Sequence, residues 1–140
     1  MGRPTTPGEG KRRGGEEGFT LIELITVVAL VAILAAIALP NYQVAIIQSR
    51  EAVLKENLFR MRDLIDQYYL DKGQYPPSLE TLVEEGYLRK LPQDPFTRAA
   101  DWTPVYAEPD PDRPAEAPGV YDVKSASELA SLAGTPYNEW

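Results

Sequence analysis

Residues 19–39 carry one ionisable side chain, Glu23, in a run otherwise made of Phe, Leu, Ile, Val, Ala and two Thr. Such a run predicts a helix, and at this length the helix spans roughly 32 Å, about one hydrocarbon core. It is apolar on every face, so it has no solvent side. A chain carrying it must place the segment in lipid or among copies of itself. Glu23 is then the costly residue, because a central charge on such a segment costs about 2.5–3.5 kcal/mol on insertion scales and less near an end. No Lys, Arg or His lies within the run. A cation could come from a new α-amino group, were the chain cut before Phe19. Alternatively, Glu23 sits near the headgroups and reaches water.

Gly18, then Phe19-Thr20-Leu21-Ile22-Glu23, then an apolar run ending at Leu39-Pro40, resembles the type IV pilin and pseudopilin signature. The resemblance implies cleavage after Gly18 by a prepilin peptidase and N-methylation of Phe19. It also implies that Glu23, fifth in the mature chain, pairs with the terminal ammonium of a neighbour during filament assembly. Pro40 falls where the family pattern has a proline, and the family is thought to lose helix near it in filaments.

The remaining composition narrows the function classes. The chain has 140 residues, no Cys and no His, and a net charge of −7. Disulfides are excluded, the usual zinc ligands are missing, and no Ser-His or Cys-His pair exists. Residues 1–18 are net +1, so the remainder carries −8, which argues against nucleic acid as a partner. Many type IV pilins carry a C-terminal disulfide loop, whereas type II secretion pseudopilins commonly lack one. The missing Cys therefore leans the resemblance toward the pseudopilins.

In chain order, residues 1–18 are Gly-, Pro- and charge-rich without periodicity and read as a leader outside the fold. Lys11-Arg12-Arg13 before the apolar run places the N-terminus in the cytoplasm and the rest in the periplasm. Glu16-Glu17 makes the leader less basic than the family's. Ala36-Ile37-Ala38 offers a rival, an ordinary secretory signal cut after Ala38, but that leader would exceed the usual ~15–30 residues. Pro40 predicts a kink, because it removes a backbone donor and clashes with the carbonyl four residues back. From residue 41 to 72 the helical pattern becomes amphipathic, with Leu54, Leu58, Met61, Ile65 and Tyr68 spaced 4, 3, 4, 3. Glu51–Lys55 and Glu56–Arg60 are candidate i,i+4 pairs, and Gly73 is a C′ residue.

Ser78 is a candidate cap for a short helix through Leu79, Leu82 and Val83 that Gly86 ends. Gly86-Tyr87-Leu88 and Leu91-Pro92-Gln93-Asp94-Pro95-Phe96 resemble a pseudopilin segment, with Thr97 where that family commonly has Gly. Residues 103–108 and 120–124 read as strands, with Val105, Tyr106, Val120, Tyr121 and Val123 as packers. The Pro-rich acidic stretch between them reads as a solvated hairpin loop rather than a metal site.

The tail resembles that of major pseudopilins in Tyr121 to Ser125, the Gly-Thr pair and the terminal Trp. Several of those proteins bind calcium here through clustered Asp. In this chain only Glu128 and Glu139 are acidic in the tail, and Ca²⁺ wants six to eight oxygens. A calcium loop would have to draw on Ser125, Ser127 and Glu128, and the expected cofactor is none. Leu129 and Leu132 suggest a loop pinned by apolar packing instead.

The expected fold is α+β: a long N-terminal helix, hydrophobic then amphipathic, on a small head with a short helix and a small antiparallel sheet. The expected domains are a cleaved leader, 1–18, a transmembrane and assembly helix, 19–40, and a globular head, 41–140. The resemblance implies a structural, non-enzymatic subunit, polymerised into a periplasmic pseudopilus for type II secretion. Its implied partners are copies of itself, the prepilin peptidase, minor pseudopilins, an inner-membrane assembly platform and the membrane. A type IV pilin is the alternative in the same class. A membrane-tethered enzyme is the alternative in another, for which Lys124-Ser125 is the adjacent nucleophile–base pair; neighbours on a strand point to opposite faces.

Overall fold

The computed structural model describes residues 1–5, 8, 18, 20–113 and 117–140. The element order is helix α1 (Leu21–Lys72), helix α2 (Leu79–Glu84), strands β1 (Thr103–Tyr106) and β2 (Val120–Lys124), then a 3-10 turn, Tyr137–Glu139. This is the α+β arrangement expected. The chain divides into two compact units, Met1–Leu39 and Pro40–Trp140.

In the first unit, α1 starts where Thr20 supplies a cap. The Thr20 hydroxyl accepts the Glu23 backbone N–H at 3.2 Å, and the Thr20 carbonyl accepts that of Leu24 at 3.1 Å. The large apolar side chains from Leu21 to Leu39 are all exposed. Pro40 does not end α1, whose helical backbone runs through it for 52 residues in all.

In the second unit, the 4-3-4-3 stripe is the core. Leu54, Leu58, Met61, Ile65 and Tyr68 are buried against Leu79, Leu82, Trp102, Val120, Val123 and Tyr137. Each buried aliphatic contributes about 1.5–3 kcal/mol relative to exposure. Gly73, at φ +72°, ends α1 as expected, its N–H on the Tyr69 carbonyl at 2.8 Å. Ser78 holds the N-cap position of α2, but its hydroxyl meets the Thr81 hydroxyl at 3.2 Å instead of capping a backbone N–H. The two helix-surface ion pairs expected on α1 do not form. Among the described residues the ion pairs are Arg62–Asp122 and Lys72–Glu85.

β1 and β2 form a two-stranded antiparallel sheet. Val105 faces Asp122 while Tyr106 faces Val120, so Tyr121 is an extra residue in β2. This bulge breaks the two-residue alternation and lets Val120 and Val123, three apart, both point inward. It corrects the expectation for the aromatic packers: Tyr106 and Tyr121 are exposed. Gly119 precedes the bulge, and a Cβ there would meet the Tyr75 backbone and Cβ at 2.6 Å.

Candidate functional site

Gly18 and Glu23 lie in the first unit, while Phe19, the expected methylated residue, lies outside the described residues. Gly18 is exposed, with open space around its Cα. Thr20-Leu21-Ile22-Glu23 is a capping-box pattern, in which the acidic residue sits at the third helical position. The signal is local to the sequence, and it is the Glu23 backbone N–H that meets the Thr20 hydroxyl. The Glu23 carboxylate makes no ion pair among the described residues. An 18-residue window of α1 has a mean hydropathy of 2.8, long and apolar enough to cross a membrane, and none of it is buried within the chain.

A second polar constellation lies in the head. Asp94 is fully buried and accepts the backbone N–H of Phe96 at 2.8 Å and of Thr97 at 3.4 Å. Its other oxygen accepts the Ser125 hydroxyl, and the Ser125 oxygen accepts the Ser127 N–H at 3.1 Å. Arg98, at φ +60°, closes this turn with its N–H on the Asp94 carbonyl. Asp94 and Ser125 are 31 residues apart, and no sequence signal linked them. The pair lacks a histidine and is sealed from solvent, so it braces the fold and offers no nucleophile. Arg62 performs a similar task at the surface. It reaches Asp122 at 2.6 Å and the main-chain oxygens of Val123 and Trp140, each at 3.0 Å.

The candidate calcium residues lie on the segment that follows β2. The Ser125 hydroxyl is committed to Asp94, the Ser127 hydroxyl accepts the Leu129 N–H at 3.4 Å, and Glu128 is exposed. Among the described residues no group of three or more His, Cys, Asp or Glu could hold a metal ion. Nor is the tail pinned by its leucines. Leu129 and Leu132 are exposed, and the buried anchor is Tyr137, stacked on Phe96 with centroids 3.9 Å apart.

Burial, and then the hydrogen bond and charge of Glu51, push the Tyr137 phenol from its ordinary 10.0 up to about 12. The unfolded phenol ionises first, so the stabilisation is complete below pH 10 and is lost as the pH climbs toward 12. Melting curves in detergent across that window should therefore fall more steeply for the wild type than for Tyr137→Phe. Parallel curves would refute the assignment.

The prokaryotic N-terminal methylation motif matches residues 13–39. Type II secretion system core protein G of Pseudomonas aeruginosa is 35% identical over 101 residues, covering 61% of this chain and 71% of that protein. The chain belongs to the type II secretion system core protein G family. The Klebsiella pneumoniae member is 30% identical over 97 residues, 58% of this chain and 69% of its own length. A Neisseria meningitidis fimbrial protein is 46% identical, but only over 63 residues, which is 36% of its length. No solved structure matches. The core protein G family is that of the major pseudopilins, and the resemblance to pseudopilins drawn from Gly18 to Pro40 holds.

Proposed function

We propose that this chain is the structural subunit of a pseudopilus, made as a precursor, cut after Gly18, methylated on Phe19 and polymerised to drive type II secretion. The leader is residues 1–18, the membrane and assembly helix 19–40, and the head 41–140. Before assembly the helix spans the inner membrane with Lys11-Arg12-Arg13 on the cytoplasmic side and the head in the periplasm. Its partners are other copies of the chain, the prepilin peptidase, minor pseudopilins and the assembly platform. The observation that carries the reading is a wholly exposed apolar helix whose single acid, Glu23, has no ion-pair partner among the described residues. Family membership in core protein G favours the secretion fibre over a surface pilus, since the fimbrial similarity stops within 63 residues.

Intact mass of membrane-extracted protein tests the processing step. The expected species begins at Phe19 and carries one methyl group. A species beginning at Leu39 would instead mean an ordinary secretory signal, with the apolar helix lost from the mature protein. Replacing Gly18 by a bulky residue should leave uncut precursor in the membrane, because a side chain there obstructs the approach to the scissile bond.

A further inference from the structure

The C-terminal segment is tied to α1 through one carboxylate oxygen. Glu51 Oε1 accepts the Leu132 backbone N–H and the Tyr137 hydroxyl, each at 2.8 Å. Around those two points the segment closes on itself. The Ser131 N–H meets the Thr135 carbonyl at 2.8 Å, the Thr135 N–H meets the Ser131 hydroxyl at 3.2 Å, and Ala130 pairs with Pro136 as an antiparallel bridge. Gly134, at φ +88°, makes the turn. Beyond it, Trp140 donates its indole N–H to the Thr135 hydroxyl at 3.0 Å and lies under the Lys55 ammonium, 4.7 Å from the ring centroid. The hydroxyls of the segment are engaged within the protein: Ser125 with Asp94, Ser127 with the Leu129 N–H, and Ser131 and Thr135 with each other.

We propose that Glu51 is the latch of the C-terminal loop and holds it on α1 without a divalent cation. A metal would draw several loop oxygens inward to itself. Here one anion on the helix collects two donors from the loop, 81 and 86 residues along the chain. The charge relation is therefore inverted, with the helix supplying the acceptor and the loop the donors. The head then keeps its C-terminal surface whether or not calcium is present, so subunit folding is indifferent to the free calcium around it. The inference stands on the head alone and does not depend on the fibre reading.

The test uses the full chain in detergent micelles, followed by thermal melting and by hydrogen exchange of the peptide covering residues 129–137. Wild-type melting and exchange should be the same in millimolar calcium and in EDTA. Glu51→Ala should speed exchange of that peptide by about tenfold, and calcium should not restore it. Glu51→Gln keeps an acceptor oxygen and should fall between. Tyr137→Phe removes one donor without changing charge, which gives a milder variant should Glu51→Ala fail to fold. Adding it to Glu51→Gln should then cost less than in the wild type. A saturable rise in melting temperature or slowing of exchange with calcium would overturn the proposal. So would unchanged exchange in both Glu51→Gln and Tyr137→Phe.

Discussion

Glu23→Gln is expected to leave membrane insertion and cleavage after Gly18 intact and to abolish or scramble fibre assembly. In the proposed fibre the apolar helices would pack side by side and exclude water. Each Phe19 ammonium then needs an anion and each Glu23 a cation. A neighbour displaced along the axis by about five residues' rise, roughly 7–8 Å, brings one to the other. The pair need not add stability beyond what apolar packing supplies. Its proposed role is to set the register, because a wrong stagger would leave two charges unpaired at a cost of several kcal/mol.

Gln is the informative substitution because of the cap. The Thr20 hydroxyl bonds the backbone N–H of residue 23, which Gln retains, and Gln is itself accepted at that position of a capping box. The variant therefore removes the charge while keeping the helix start. Glu23→Asp, one methylene shorter, should be intermediate. Cys pairs introduced along residues 20–39 report the stagger by crosslinking. Normal fibres with an unchanged crosslink pattern in Glu23→Gln would mean that the carboxylate merely reaches the headgroup region.

The largest loss of stability in the head is expected from Asp94→Ala. The carboxyl group is fully buried and serves two backbone amides and the Ser125 hydroxyl. Removing it leaves those donors without an acceptor, and each buried unsatisfied donor costs about 1–3 kcal/mol. A total on the order of 3–5 kcal/mol lowers the melting temperature of a head this size by more than about 10 °C. Ser125→Ala takes one donor from a carboxylate that keeps two others and leaves the Ser127 N–H without its acceptor, so its cost should be smaller, about 2–3 kcal/mol. Melting of the full chain in detergent separates the two variants. An Asp94→Ala protein melting within a degree or two of wild type would show that the turn finds other partners.

The apolar run, its one acid and the 4-3-4-3 stripe were legible because each depends on local order. Hydrophobicity sustained over a membrane's width, a carboxylate inside it, and spacing matched to the helix period need no tertiary information. Gly73 and Gly86 were legible for the same reason: a left-handed residue after a helical pattern is a local requirement. The core followed from the stripe, and Leu54, Leu58, Met61, Ile65 and Tyr68 are all buried. Thr20 was legible too, since its partner is three residues on.

Tertiary structure decided everything that joins distant residues. Asp94 meets Ser125 only because the turn around residues 94–99 packs against the end of β2. Glu51 looked like the partner of Lys55 one turn away. It turns instead to the C-terminal loop, where two donors outbid a solvated ammonium, and Lys55 rests on Trp140. The bulge at Tyr121 could not be read from the strand's own alternation, because it is set by the register with β1. The same holds for Leu129 and Leu132. Their hydrophobicity suggested anchors, but the polar bonds of the loop and the burial of Tyr137 leave both side chains facing outward. Local periodicity determines which face of an element is apolar, whereas the partner of a polar group depends on where the chain returns.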